Sequence, residues 1–313
     1  MYDHPHTNRF IKYALNFEAD EDTLSQYVVA VSSAEMHQRS IVGKDTLNSD
    51  AYRIPQYSGN EERKALRKQI YNELISKKRL NKDDDIIFGK GGALPKTEIK
   101  KDAEAFFIIG LPASGKSGIA TSISDQYGAI ILDSDYAKRK FPEFSTTDFG
   151  ASVVHEESSV VVFGGKGQYA EEPSVLQYAV NERINLVIPK IGDKAPRIAT
   201  FAKTLKKLGY TLHLVLVRLD REEATKRALV RFMKTKRYVP LSLIFDEYGN
   251  NPTITFYDMK QLRKYSSIFK SFTMISTDVP IGEPFKTMIR TKSSPEIESP
   301  YKNRKRGYNN GQK

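Results

Sequence analysis

Eight consecutive residues, Gly110-Leu111-Pro112-Ala113-Ser114-Gly115-Lys116-Ser117, carry the spacing G-x-x-x-x-G-K-S. A glycine-rich turn of this length can aim successive backbone N–H groups at phosphate oxygens, with a lysine reaching the β- and γ-phosphates and a serine hydroxyl completing a Mg²⁺ shell. The flanks matter more than the pattern. The apolar run at 105–109 reads as a buried strand and 118–125 as a helix, which is the strand–loop–helix setting of a P-loop. A chance glycine-rich turn needs neither flank. The loop therefore predicts ATP as the ligand, Lys116 as a catalytic cation and Ser117 as the Mg²⁺ ligand.

A second group of candidates follows the next apolar run, at 129–132: Asp133-Ser134-Asp135-Tyr136. A carboxylate at the end of a second strand faces the same crevice as the loop, where it can accept a proton from a substrate hydroxyl or help order Mg²⁺. Asp135 is the first choice for that role and Asp133 the alternative. The bland reading is that both end a strand and cap the next helix, which aspartate does well. Further along, Arg227, Arg231, Lys234 and Arg237 recur at i, i+4, i+7 and i+10. Such cations can neutralise a transferring phosphoryl group, although charge on a helix is most often a solvated face. Arg231 and Arg237 are the members predicted to be catalytic. His155 reads first as a structural or strand-end histidine, and Gly164-Gly165-Lys166-Gly167 is too short for a second phosphate loop.

The elements that must position these groups alternate. Strands are expected at 105–109, 129–132, 185–188, 211–217 and 272–276, with helices at 118–125, 175–182, 196–208 and 221–236 between them. That alternation predicts an α/β fold, a doubly wound parallel sheet of P-loop kinase type with its ligand at the carboxyl ends of the strands. Residues 96–289 form this predicted domain. Residues 1–95 are a polar, mixed helical extension whose clearest element is an amphipathic helix over 61–79, with Leu66, Ile70, Leu74 and Ile75 at helical spacing. Residues 290–313 form a basic tail with too few aliphatic residues to fold alone, and disorder is expected there.

Composition removes several function classes. The chain has 313 residues, 39% hydrophobic and 28% charged, the profile of a soluble globular protein. It has no cysteine, so disulfides, thiolate metal sites and cysteine nucleophiles are excluded. No apolar stretch is long enough for a membrane span, the N-terminus lacks the pattern of a secretion signal, and a cytoplasmic protein is expected. The formal net charge is +11, and seven cations against two carboxylates in residues 290–313 supply nearly half of it. With no aromatic–basic signature in the core, nucleic acid is not the expected partner.

The ordered motifs resemble the zeta toxins: the loop 110–117, the Asp133–Lys138 stretch followed by Phe141-Pro142-Glu143-Phe144, then Val154-His155-Glu156-Glu157-Ser158-Ser159. The resemblance continues through Asn185-Leu186-Val187-Ile188-Pro189-Lys190-Ile191-Gly192 and the Arg-Phe-x-x-x-x-Arg-Tyr-Val-Pro stretch that ends at Pro240, and covers about residues 103–240. It implies a small-molecule kinase, usually the toxin of a toxin–antitoxin pair, that phosphorylates the 3′-hydroxyl of the amino sugar in UDP-N-acetylglucosamine. It implies further that Asp135 activates that hydroxyl and that Glu156 or Glu157 falls near a substrate-contacting glutamate; Asp133, His155 and Lys190 are further candidates for contact with the substrate. One departure stands out, because Pro189-Lys190-Ile191-Gly192 replaces the acidic segment of the best-known members. A related plant-pathogen effector class phosphorylates NAD, so a nucleotide-linked sugar and the ribose of a dinucleotide both remain as acceptors, and a secreted effector as an alternative to a resident toxin. An NTPase switch or an RNA-end kinase is the reading from another class. An antitoxin partner, or inhibition in cis by residues 1–95, follows from the same resemblance.

Overall fold

Runs such as Phe106-Phe107-Ile108-Ile109 and Leu214-Val215-Leu216-Val217 are apolar without alternation, the pattern of parallel strands covered on both faces. In a computed structural model, which describes residues 4–40, 42–146, 150–235, 237–280 and 282–301, they form one six-stranded sheet. Its strands are β1 (Glu104–Ile109), β2 (Ile130–Ile131), β3 (Leu186–Lys190), β4 (Thr211–Arg218), β5 (Ser271–Ser276) and β6 (Lys286–Arg290), in spatial order β2-β3-β1-β4-β5-β6. The first five are parallel and β6 runs antiparallel to β5. The antiparallel edge was not expected. Its charged ends, Lys286 and Arg290, are exposed and blunt an edge that could otherwise template pairing.

Because β1 pairs with β3 on one side and β4 on the other, the order reverses at β1 and opens a crevice at its carboxyl end. The loop 110–117, Asp133 and Lys190 all follow or end strands at that crevice. The loop leads into a helix, Lys116–Tyr127, closed by Gly128 in the left-handed region at φ 56°. A short helix, Ser134–Lys138, follows Asp133, another, His155–Phe163, begins where a strand-end histidine was the first reading, and Arg221–Thr235 carries the cations. Lys236, the expected end of that helix, lies outside the described residues. Among the described residues no helix is long and apolar enough to cross a membrane.

The N-terminal extension divides in two. The helix Asn60–Ser76 sends Leu66, Ile70 and Leu74 into the same core as β1, joined by Ile86, Ala93 and Leu94. Three of its charged residues, Arg63, Arg67 and Glu73, are buried as well. Arg63 is fully buried, 2.7 Å from Glu143 and 2.5 Å from Glu157, while Arg67 pairs with Glu157 at 2.9 Å and Glu172 at 2.6 Å. Glu73 pairs with the equally buried Lys140 at 2.7 Å. The other part, helices His4–Arg9 and Glu21–Ser40, packs Ile11, Leu15, Val28, Val31 and Ala34 against Leu229, Phe232 and Leu241.

The tail expected from residue 290 is corrected over its first part. Arg290 ends β6, Ser294 is buried, and the Ser122 and Tyr127 hydroxyls donate to the carbonyls of Glu298 and Glu296, each at 2.6 Å. Ile289 and Ile297 pack on the main core, so few aliphatic residues suffice to lay a strap on a core already built. Residues 302–313, with most of the tail's cations, lie outside the described residues.

Candidate active site

The phosphate loop is shaped by contacts that exclude larger side chains. A Cβ on Gly110 would stand 2.5 Å from the Val217 carbonyl and 2.9 Å from Ser114 Oγ, and Gly115 adopts φ 87°. Ala113 also takes a positive φ, 61°, which costs an L-residue strain that a fixed loop must hold. Thr277, just past β5, donates to the Ser114 carbonyl at 2.7 Å and fastens the loop from its far side. Lys116 folds back on the loop, its ammonium 2.7 Å from the Gly110 carbonyl and 2.5 Å from that of Leu111. Desolvation pushes its pKa down to about 7; Asp133 and Asp135 pull it up, and Arg231 adds to the fall. Ser117 is exposed at the mouth.

Two polar atoms here, Ser114 Oγ and Arg231 Nε, are buried with no hydrogen-bond partner. Buried polar atoms are nearly always paired, and phosphate oxygens are the acceptors such a site lacks. The donor set fits a nucleotide triphosphate. Among the described residues no group of three or more His, Cys, Asp or Glu could hold a metal ion by itself, so a divalent ion would be held by Ser117 together with the phosphates.

Asp133 caps the helix Ser134–Lys138, its carboxylate accepting the Asp135 N–H at 2.9 Å. Burial and the neighbouring Asp135 push its pKa up. Asp135 behaves oppositely. Burial works to raise its pKa, but Lys138, Arg237 and Arg139 outweigh it and hold the carboxyl well below the usual carboxylate range. Lys138 lies 3.0 Å from one of its oxygens and Arg237 2.8 Å from the other. Two adjacent aspartates are thus driven apart, one towards capping and one towards a permanent negative charge. Asp135 and Lys138 line a cleft of about 650 Å³ together with His155, Gln38, Arg237 and Tyr238.

The family model described as zeta toxin matches residues 94–266. The chain belongs to the zeta toxin family. It is a phosphotransferase of P-loop type, and a kinase of this type draws its phosphoryl group from ATP. The chain is also similar to a solved structure of the PezAT chromosomal toxin–antitoxin system of Streptococcus pneumoniae. The identity is 16%, 75% of this chain and 82% of the other are covered, and the TM-score is 0.47. A complex of AvrRxo1-ORF1 and -ORF2 with ATP matches at 14% identity and TM-score 0.42, covering 72% of this chain but only 63% of that one. A gluconokinase from Sinorhizobium meliloti 1021 matches at 14% identity and TM-score 0.31, covering 58% and 86%. No curated protein matches the chain.

In this member of the family the site residues, predicted and unpredicted, fall into three groups. Lys116, Asp133, Asp135, Lys190, Arg231 and Arg237 gather at the crevice. Lys190 ends β3 with its ammonium 3.7 Å from the Phe163 ring centroid, and desolvation lowers its pKa while Asp133 raises it. His155 begins a helix instead of ending a strand, lines the cleft, and has its pKa lowered by desolvation and by Lys138. The second group is spent elsewhere: Arg227 pairs with Glu223 at 2.8 Å and donates to the Thr277 carbonyl at 3.1 Å, while Lys234 and Glu156 are exposed. Glu157 corrects an expectation. Its carboxylate is fully buried and committed to Arg63, Arg67 and the Thr46 hydroxyl, so it ties the N-terminal extension down and does not line the cleft. The third group was missed: Asp84, which pairs with Arg139 at 2.9 Å and Arg237 at 3.0 Å, and Gln38 at the cleft wall. Both come from the extension, and no local spacing links them to the loop.

Proposed function

We propose that the protein transfers the γ-phosphoryl group of ATP to a hydroxyl of a nucleotide-linked sugar, with the 3′-hydroxyl of UDP-N-acetylglucosamine as first acceptor, and so acts as a toxin. The observation that carries this is the position of Asp135. Its carboxylate lines the cleft where an acceptor fits and also bears electrostatically on Lys116 of the phosphate loop. A carboxylate so placed takes the hydroxyl proton as the oxygen attacks; Lys138, Arg237 and Arg139 keep it ionised in the free protein and weaken it as a base, so it gains basicity when the acceptor displaces one of them. Lys116 leaves the Gly110 and Leu111 carbonyls for the β- and γ-phosphates, the loop amides hold the remaining oxygens, and Arg231, whose buried Nε has no partner, meets the charge of the transferring group. Mg²⁺, held by Ser117, would supply charge neutralisation between the phosphates. Asp133, His155 and Lys190 contact the acceptor. Arg237, now on Asp135, turns to the phosphoryl group when the acceptor hydroxyl takes its place.

The test incubates wild type and Asp135→Ala with ATP, Mg²⁺ and a panel of UDP-N-acetylglucosamine, NAD and an RNA oligonucleotide, read by mass spectrometry for a phosphate gain. Phosphorylated sugar nucleotide from wild type alone is the expected result, with Asp135→Ala lowering turnover at least about a hundredfold while ATP still binds. Normal turnover by Asp135→Ala sinks the base assignment, and phosphorylated NAD or RNA in place of the sugar nucleotide moves the acceptor to another class. An antitoxin, or the extension itself, is the partner that such a toxin needs, and residues 1–95 with their contacts on both sides of the cleft are the segment we assign to that regulation.

A further inference from the structure

Arg237 stands between two carboxylates from different parts of the chain. Its Nη2 lies 2.8 Å from Oδ2 of Asp135, and its Nη1 lies 3.0 Å from Oδ1 of Asp84. The same Asp84 oxygen takes Nη2 of Arg139 at 2.9 Å, and Nη1 of Arg139 donates to the Asp135 backbone carbonyl at 3.2 Å. Asp84 lies outside the family-matched residues 94–266, in a short turn, Asp83–Asp85. That turn lies beside the helix Ser134–Lys138, where Asp83 neighbours Tyr136.

We propose that Asp84 is a positioning residue for phosphoryl transfer: by holding one arm of Arg237, it prevents a two-armed pair with Asp135 and lets the other arm lift when the acceptor hydroxyl arrives. The inference rests on the reading of Asp135 as the base. A guanidinium facing a lone carboxylate settles into two parallel hydrogen bonds, the strongest geometry open to it. With Asp84 present, the fork is divided between two acceptors, each receiving one bond. Releasing Asp135 then costs one hydrogen bond while the arginine keeps its charge partner. Without Asp84 the freed arm of Arg237 turns to Asp135 Oδ1, which it then shares with Lys138, and the acceptor must displace both arms. The Asp84 side chain is 61% exposed, so its substitution does not disturb the core.

The test compares wild type, Asp84→Asn and Asp84→Glu with ATP, Mg²⁺ and UDP-N-acetylglucosamine. Asp84→Asn is expected to lower kcat about tenfold with KM for ATP within twofold, at unchanged melting temperature, and Asp84→Glu to restore kcat to within threefold. In an Arg237→Gln background the same Asp84→Asn change is expected to cost less than twofold. A rise in KM for ATP at constant kcat, or an undiminished tenfold loss in the Arg237→Gln background, overturns the proposal. A crystal structure of the Asp84→Asn protein reads the same point without turnover. Arg237 on both Asp135 oxygens supports it and Arg237 unmoved overturns it, even if no acceptor in the panel is phosphorylated and the kinase reading itself has failed.

Discussion

The two halves of the N-terminal extension hold the kinase by different means. Residues 60–94 add a buried ion network to the apolar stripe of Leu66, Ile70 and Leu74: Arg63 and Arg67 share Glu157 and also pair with Glu143 and Glu172, and Glu73 takes Lys140. Residues 4–40 are bound to the cationic helix Arg221–Thr235 and the segment after it by apolar packing of Ile11, Leu15, Val28 and Val31 on Leu229, Phe232 and Leu241. Glu35 adds a hydrogen bond from the Tyr238 hydroxyl, next to Arg237. A buried ion network demands one geometry, because any partner that departs leaves a charge in a poor solvent. Apolar packing is non-directional and survives small slides. The floor of the site, with the loop and Asp135, is therefore pinned, whereas the helix bearing Arg231 is held by contacts that allow it to shift.

The sharpest way to break this contrast is to remove the cation at the centre of the network. Arg63→Met leaves Glu143 buried with only the Ile54 N–H and takes from Glu157 one of its two arginines, and the expected loss is ~3–5 kcal/mol of folding stability, read from the urea midpoint. A loss below ~1 kcal/mol would mean that the network pins nothing. Val31→Asp makes the matching attack on the other half. It places a charge among Ile11, Leu229 and Phe232, at a cost of ~2–4 kcal/mol that should fall on residues 4–40 and not on the whole fold. Hydrogen exchange is the check: faster exchange in Glu21–Ser40 and Arg221–Thr235 with β1, β3 and β4 still protected supports the contrast. Equal loss of protection in the sheet would make residues 4–40 part of the same cooperative unit as residues 60–94.

What the sequence made legible, and what it hid, follows the same division. The loop, the five parallel strands and the crevice were readable because each rests on local chemistry: a glycine turn, unbroken apolar runs, an aspartate after a strand. Glu157 was misread because it sits one residue from Glu156 on a short helix, and which of the two faces inward depends on Arg63 and Arg67, about ninety residues away in the chain. The same holds for the helix Asn60–Ser76, whose Leu66, Ile70 and Leu74 stripe was plain while Arg63, Arg67 and Glu73 gave no sign of being buried. Asp84 was hidden for a related reason. A run of three aspartates between Lys82 and Ile86 reads as a solvated loop, and only the fold sets one of them between Arg139 and Arg237. The helix Glu21–Ser40 escaped notice because its apolar residues are sparse and scattered, and it becomes a helix by packing on Leu229 and Phe232.

The smallest expected effect links the pinned floor to the shifting helix through one lysine. Lys116 belongs to the floor and its pKa is pushed down to about 7, chiefly by desolvation and in part by Arg231 on the cationic helix. Between about pH 7 and the ordinary lysine value of 10.5 the unfolded chain binds more protons at this position than the folded one, so its contribution to stability grows as pH rises across that window. Nucleotide binding reverses the balance, because phosphate charge restores the proton. ATP binding at pH 8 should therefore take up most of one proton, and ATP affinity should fall as pH rises from 7 to 9, by at most about tenfold per unit. Calorimetry in two buffers of different ionisation enthalpy measures the uptake, and Lys116→Gln should abolish it. Arg231→Ala removes a repelling charge, raises the lysine's pKa in the free protein and shrinks the uptake at pH 8. Val31→Asp should do the same to a smaller degree if residues 4–40 are what keep Arg231 close enough to act on Lys116. Uptake unchanged by Val31→Asp would mean that Arg231 holds its place without residues 4–40, and the two halves of the extension would then differ in bonding but not in consequence.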